Sequence, residues 1–140
     1  MMKMQEDSQI EKWARIAESH MAILNEMARI CYLDKLEVHV RTNDPGNIPH
    51  FHIWDRESNG EKFHTCIQIK AARYFHHTGK EDKLNASQRK KLVKKLRSKE
   101  ADSPFASIWD EIIYEWNKNN SDMKVSPKQS MPDYTNIEDN

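Results

Sequence analysis

Apolar and polar residues alternate along three short segments in the first half of the chain, which is the pattern of half-buried β-strands. It predicts strands at residues 35–42, 50–55 and 62–70. Residues 43–47 and 58–60, between these segments, are rich in Asn, Asp, Gly, Pro and Ser and predict turns. Three strands with such short connections favour an antiparallel meander.

A period of three to four residues predicts helices on both sides of these strands. Helices are expected over residues 8–31, 88–100 and 104–118. For the last of them, Ser103 is the expected N-cap and Pro104 the first helical residue, because proline is favoured at that position.

Together these elements predict an α+β fold: an N-terminal helix, a three-stranded antiparallel meander, two C-terminal helices and a mobile tail. The helices and strands would form a single domain over residues 1–118. Residues 119–140 are polar and acidic, so we expect a flexible tail there, with Tyr134 and Ile137 as the residues able to dock on the domain.

The composition excludes a membrane-spanning protein and a disulfide scaffold. Charged residues make up 31% of the 140 residues, the mean hydropathy is −0.94, and no apolar run approaches the roughly 20 residues of a membrane span. The N-terminus lacks the apolar core of a signal peptide, which predicts a cytoplasmic protein. Two cysteines, Cys31 and Cys66, are too few for a disulfide framework.

The formal net charge of zero hides a strongly basic segment. Residues 61–100 hold 12 basic and 4 acidic residues, whereas both flanking segments are net acidic. Most of this charge falls on the predicted helix 88–100, whose basic face could neutralise phosphates or an acidic protein surface. The candidate partner-binding residues are Arg89, Lys90, Lys91, Lys94, Lys95 and Arg97, with Arg41, Trp54 and Lys70 from the predicted sheet. A solvated, lysine-rich helix without a partner is the alternative.

Four histidines fall on the polar face of the predicted sheet: His39, His50, His52 and His64. In the simplest hairpin registers, Arg41 lies opposite His50, His39 opposite His52, and Trp54 opposite His64, so the imidazoles would form one patch. Neutral imidazole is a common metal ligand. The patch could hold Zn²⁺, Mn²⁺ or Fe²⁺.

Cys66 or Glu37 would supply a further ligand to such a metal. A metal with an open position would activate a water molecule, and His50, His52 and His64 would then be the catalytic residues of a hydrolase. The alternative is a solvated or lightly covered sheet face that carries histidines without any chemistry. A second histidine pair, His76 and His77, lies in a predicted loop with Gly79 and Lys80 and could grip an anion.

Two neighbouring segments carry a family resemblance: VHVRTND at residues 38–44 and IPHFHI at residues 48–53. They resemble a family of small uncharacterised bacterial proteins with a Pro-His-x-His strand after a turn, often encoded beside partners similar to toxin–antitoxin components. Members typically have a second proline before the histidines, where this chain has Ile48. The resemblance covers about a quarter of the chain. It implies His50 and His52 as the motif pair and a setting in phage defence or a mobile element, with no settled activity.

These observations predict a small binding or inhibitor protein. It would engage nucleic acid or an acidic protein through the basic helix and the histidine-bearing sheet face, without contact with a membrane. The alternative function is a metal-dependent hydrolase of the phosphodiesterase or nuclease type that uses the histidine cluster. Discriminating between them requires the tertiary arrangement of the histidines.

Overall fold

The computed structural model describes residues 27–41, 48–76 and 79–139. Four strands precede two helices in this part of the chain. Their bounds are β1 Met27–Leu33, β2 Leu36–Arg41, β3 His50–Asp55, β4 His64–Gln68, α1 Ala86–Arg97 and α2 Ile108–Asn119.

The four strands form one antiparallel sheet in the order β1-β2-β3-β4. The α+β class and the antiparallel meander are therefore confirmed, with four strands in place of the predicted three. The predicted pairings of His39 with His52 and of Trp54 with His64 are also confirmed. The described β2–β3 ladder ends at His39–His52, so it contains no pairing of Arg41 with His50.

The additional strand, β1, corrects the predicted helix over residues 8–31. Residues 8–26 lie outside the described part of the chain, but Met27–Leu33 is a strand. Two features hide it from a periodicity argument. A register shift between Arg29 and Cys31 interrupts the alternation, and both Ile30 and Cys31 are buried. The turn to β2 also depends on Asp34, which adopts a positive φ of 56°.

Both helices begin at residues other than the predicted ones. Helix α1 starts at Ala86, earlier than the predicted residue 88, because Asn85 and Gln88 form a reciprocal capping box. Helix α2 starts after Ser107, whose side chain accepts the Asp110 N–H. The predicted start at Ser103 and Pro104 is wrong.

The reason for the later start of α2 is visible around Ser103. The Lys99 ammonium donates to the carbonyl oxygens of Ser103 and Phe105. The Ser103 hydroxyl accepts the N–H of Phe105. These bonds hold residues 103–105 in a loop before the helix begins.

The apolar face of the sheet packs against both helices, as the alternation predicts. The sheet contributes Val38, Val40, Phe51, Ile53 and Ile67, the residue after β4 contributes Ile69, and the helices contribute Leu92, Val93, Leu96, Ile108, Trp109, Ile112, Ile113 and Trp116. These side chains form one continuous hydrophobic core with residues of the C-terminal segment.

The C-terminal segment contacts the sheet at more positions than the two predicted. Tyr134 is fully buried against Phe51, and its hydroxyl donates to the carbonyl oxygen of Gln68 at 2.6 Å. Ile137 packs at the edge of the core. In addition, backbone bonds join Glu138 to Ala72 and Tyr74. In the described ranges, no helix combines the length and the apolar character needed to cross a membrane.

Because Tyr134 docks the C-terminal segment on the core, we expect substitutions of Tyr134 to lower the stability of the protein. Tyr134→Ala should lower the free energy of unfolding by about 3–5 kcal/mol, as for other buried aromatic residues. Tyr134→Phe should cost about 1–2 kcal/mol because the Gln68 carbonyl loses its donor. Urea denaturation measures both changes. The matched control is Tyr114→Ala, at a half-exposed tyrosine, which should change the value by about 0.5 kcal/mol or less. If Tyr134→Ala lowered the free energy of unfolding no more than this control does, the burial of Tyr134 in the core would be contradicted.

Asp55 organises the turn between β3 and β4. Its carboxylate accepts the N–H and the hydroxyl of Ser58 and the N–H groups of Gly60 and Phe63. The turn itself needs a positive φ at Asn59 and at Gly60. The Ser58 hydroxyl, together with these N–H groups, lowers the pKa of Asp55 to about 2.

Because of the Asp55 carboxylate, we expect the folded protein to lose stability in acid. Because its pKa falls on folding, its contribution is complete above the ordinary value of 3.8 and disappears as the pH falls to about 2. Asp55→Asn should therefore be less stable than the wild type at neutral pH and should lose less stability over that interval. Denaturation at a series of pH values tests this, with exposed Asp122→Asn as the charge-matched control. Parallel pH profiles for wild type and Asp55→Asn would refute the assignment.

Candidate metal centre

The histidine-bearing face of the sheet is buried rather than solvated. His39, His50 and His52 are 4%, 0% and 3% exposed, and Cys66 is completely buried. The predicted polar face is therefore covered and not open to solvent, although the alternation assigned these residues to one face correctly. Aromatic side chains contribute to the burial, since Trp54 stacks on His39 and Phe75 stacks on His50.

Strand pairing brings two of the histidines to a cysteine. His52 on β3 lies directly opposite Cys66 on β4, and His64 lies two residues before Cys66. Because residues i and i+2 of a strand point to the same face, all three side chains converge. The arrangement follows from the His-x-Cys spacing on β4 combined with the β3–β4 register.

The three ligand atoms form a small triangle. Nδ1 of His52 lies 2.9 Å from Nε2 of His64 and 3.2 Å from Sγ of Cys66. The third side, between Sγ of Cys66 and Nε2 of His64, measures 3.6 Å. Histidine, cysteine, aspartate and glutamate side chains can bind metal ions. Among the described residues, His52, His64 and Cys66 are the group of such side chains that is compact enough to hold one.

These separations agree with the coordination shell of zinc. Zinc binds histidine nitrogen at about 2.0–2.1 Å and thiolate sulfur at about 2.3 Å. Tetrahedral bonds of those lengths place the ligand atoms roughly 3.3–3.6 Å apart. The triangle would therefore accept an ion after adjustments of a few tenths of an ångström.

The electrostatic setting favours the neutral form of His64, which is the metal-binding form. Burial lowers the pKa of this imidazole, and the nearby carboxylates of Glu81 and Asp82 only partly oppose the effect. The backbone of His64 is also anchored, since its N–H donates to the Asp82 carboxylate and its carbonyl accepts the Asp82 N–H.

His50 lies beside the cluster without belonging to it. Its ring centre is 4.9 Å from that of His52, and its Nδ1 donates to the Ile48 carbonyl oxygen at 2.6 Å. Phe75 stacks on the ring, and Trp116 tilts against it with a centroid separation of 5.5 Å. These contacts fix His50 as packed core, and its role as a ligand or catalytic residue stays a prediction.

His39 is directed away from the cluster. Its ring stacks on Trp54 at 4.1 Å between centroids, and its Nε2 lies 3.5 Å from a carboxylate oxygen of Glu37. Burial, reinforced by the Arg29 charge, lowers the pKa of His39 to about 4. Glu37 also lies 3.9 Å from Arg29. The structure thus places neither His39 nor Glu37 with the three converging ligand atoms.

The basic residues of α1 fall into three groups. Arg89 donates to the carbonyl oxygens of Leu84 and Thr135 and so has a structural contact. Lys91 and Lys95 form ion pairs with acidic neighbours. The exposed group that forms no ion pair with described residues consists of Lys90, Lys94 and Arg97.

The remaining partner candidates lie on or beside the sheet. Trp54 is half-buried among the histidine rings, whereas Lys70 is exposed after β4. Arg41 ends β2, where its carbonyl oxygen accepts from the Asn120 amide at 3.5 Å. These three therefore belong to different structural elements from the basic helix.

The predicted anion loop has an acidic environment. His76 lies 2.7 Å from a carboxylate oxygen of Asp139 and 3.7 Å from one of Glu81. His77 lies outside the described residues. Carboxylates of the chain itself therefore already contact His76.

Cys66 is the residue whose importance the sequence understated, since it was predicted only as an additional ligand. Its signal is the position two residues after His64 on a strand, which places it on the histidine face. Comparisons of the chain with protein-family models, with curated proteins and with solved structures find no match. The resemblance to the Pro-His-x-His family therefore stays a prediction.

Proposed function

We propose that this protein binds one zinc-class metal ion through His52, His64 and Cys66. The observation that supports the proposal is the convergence of two imidazole nitrogens and one sulfur within 3.6 Å of one another. Strands β3 and β4 hold the ligands, so the site is built on rigid elements. Three protein ligands leave a coordination position for water or for a further donor.

The donor set selects among the metals expected from the sequence. A buried thiolate with two imidazoles suits Zn²⁺ better than Mn²⁺, which prefers oxygen ligands. A trigonal set of two histidines and one cysteine also suits copper. We propose Zn²⁺ as the bound ion, and elemental analysis distinguishes it from copper.

Metal content is the direct test. Purified wild-type protein should retain about one zinc per chain after dialysis, and Cys66→Ser and His64→Gln should each lose it because a three-ligand site cannot spare a donor. Zinc at about 1,000 times its Kd should raise the free energy of unfolding by about 4 kcal/mol. Inductively coupled plasma analysis and thermal denaturation with and without zinc measure the two effects.

The other cysteine provides the matched control. Cys31 is also buried, and burial raises the pKa of its thiol to about 12, but among the described residues it is not part of the compact group of ligand atoms. Cys31→Ser should therefore keep the zinc. Cobalt substitution adds a spectroscopic signature, because a Co²⁺–thiolate bond gives a charge-transfer band that Cys66→Ser should abolish. Wild-type protein that takes up neither zinc nor cobalt would refute the proposal.

Our second proposal is that the metal bound at this site activates a water molecule and that the protein is a metal-dependent hydrolase. The three-ligand set supports it, since catalytic zinc ions commonly have three protein ligands and a water. Zinc-loaded protein should then cleave a chromogenic phosphodiester, and His64→Gln should lose both zinc and cleavage. Zinc binding without cleavage would refute the hydrolase and leave the metal site intact.

A further inference from the structure

An exposed aromatic ring lies within a basic surface on the side of the sheet edge formed by β1. Tyr32 is 40% exposed, one of the few large apolar side chains so open among the described residues. The Arg56 guanidinium lies 4.1 Å from its ring centre and that of Arg29 lies 4.7 Å away. The sequence alone suggested a basic helix without aromatic residues, and the fold supplies one from β1.

Tyr32 separates two surface hollows. The first, of about 510 Å³, has Lys35, Arg56 and Lys62 in its lining. The second, of about 370 Å³, is lined on the α1 side by Lys91, Lys94 and Lys95. We call Tyr32 and these two hollows the Tyr32 surface.

The positive charge of this surface is only partly neutralised. Lys91 pairs with Asp34 at 2.8 Å, Lys95 with Glu100 at 3.4 Å, and Lys62 with Glu57 at 3.5 Å. The three cations that form no ion pair with described residues are Lys35, Arg56 and Lys94.

The carboxylates in the first hollow already have partners in the chain. Asp55 is occupied by the β3–β4 turn, and Glu57 pairs with Lys62. Glu37 lies between Arg29 and His39. Lys35, Arg56 and Lys94 are thus available to a ligand, and the net positive charge lies in the second hollow, because the first has as many carboxylates as cations.

We propose that the Tyr32 surface binds single-stranded nucleic acid, with one base stacked on Tyr32. Phosphates on the two sides of that base would contact Lys35 and Arg56 in the first hollow and Lys94 in the second. Aromatic stacking combined with a cationic track is the usual recognition of single strands. The site is separate from the metal ligands and does not depend on the metal.

A base can stack on Tyr32 only if one of the two arginine guanidinium groups moves off the ring. Arg29 is the more distant from the ring, and its side chain is 55% exposed with its carboxylate partner 3.9 Å away. An exposed cation–π contact is weaker than the stacking of a base on an aromatic ring. A base can therefore replace Arg29 on Tyr32, while Arg56 stays in contact with the ring.

Single strands are favoured over the other polyanions for a physical reason. An acidic protein or a duplex would use the lysines, but neither presents an unpaired base to an exposed tyrosine. Tyr32 is thus the discriminating residue. Loss of its ring should reduce binding of a single strand and leave purely electrostatic binding unchanged.

The experiment is fluorescence anisotropy with a labelled oligouridylate of about 12 nucleotides, within the usual site size. Tyr32→Ala should weaken binding by about 5- to 100-fold, the range for loss of one stacked base, and Tyr32→Phe should bind like the wild type. Lys94→Glu should weaken binding and reduce the salt dependence of log K by about 0.7 for each phosphate that the protein no longer neutralises.

Matched control variants distinguish binding at the Tyr32 surface from nonspecific effects of charge and from effects of the metal site. Tyr114→Ala removes another exposed tyrosine, and Lys124→Glu makes the same charge change at another exposed lysine. Both variants should retain wild-type affinity, as should the metal-ligand variant His64→Gln.

Several results would overturn the proposal. They are absence of binding at about 50 mM salt, unchanged affinity in Tyr32→Ala, equal affinity for a duplex of the same length, and displacement of the oligonucleotide by polyglutamate at equal charge. The last result would assign the surface to an acidic protein.

Discussion

Four imidazoles and a thiol are placed on one face of the sheet, and three of the imidazoles and the thiol are almost inaccessible to solvent. Burying such groups costs free energy unless each gains a partner. The three arrangements meet this constraint unequally: His39 stacks on an indole with both ring nitrogens buried and without a hydrogen bond, His50 donates to a backbone carbonyl, and His52 meets His64 and Cys66. Only the third arrangement brings several lone pairs to one point, which is why it is the candidate metal centre.

The opposite face of the sheet supplies the stability that such burial requires. Its aliphatic side chains pack on α1 and α2, and Tyr134 closes the core from the C-terminal segment. The backbone bridge between Arg73 and Glu138 and the Tyr134 hydroxyl tie this segment to the end of β4. The strand that holds His64 and Cys66 is therefore held in place by residues about 70 positions later in the chain.

Zinc and nucleic acid would use different parts of one sheet face, because Tyr32 on β1 and His64 on β4 lie at the two ends of a single cross-strand row. The metal ligands lie within the β3–β4 pair, whereas the Tyr32 surface extends from the β3–β4 turn past Tyr32 to α1. Glu37 lines the first hollow and also contacts Arg29 and His39, so this row of contacts joins the Tyr32 surface to the histidine face. Each site can consequently be tested by variants that leave the ligands of the other unchanged.

Local patterns predicted the parts of the fold that depend on local chemistry. Alternation located β2, β3 and β4 and two of their pairings, because side-chain direction has a strict period of two. It failed for β1, where a bulge at Ile30 and a positive φ at Asp34 interrupt the pattern. The first residues of the helices differ from the predicted ones because of competing hydrogen bonds, such as those of Lys99 with residues 103–105. No periodicity rule connects the residues that make these bonds.

The sequence by itself determined that His50 and His52 share one face of their strand, as do His64 and Cys66 on theirs, since side chains alternate along a strand with a period of two. Only the tertiary structure decided the register that brings the histidines of the three strands to one face, the burial of that face, and the convergence of His52, His64 and Cys66 while His39 turns to Trp54. It also decided that Tyr32 lines one hollow together with lysines of α1. Burial and convergence depend on packing between distant segments and on rotamers within a shared volume. A linear pattern carries no information about either.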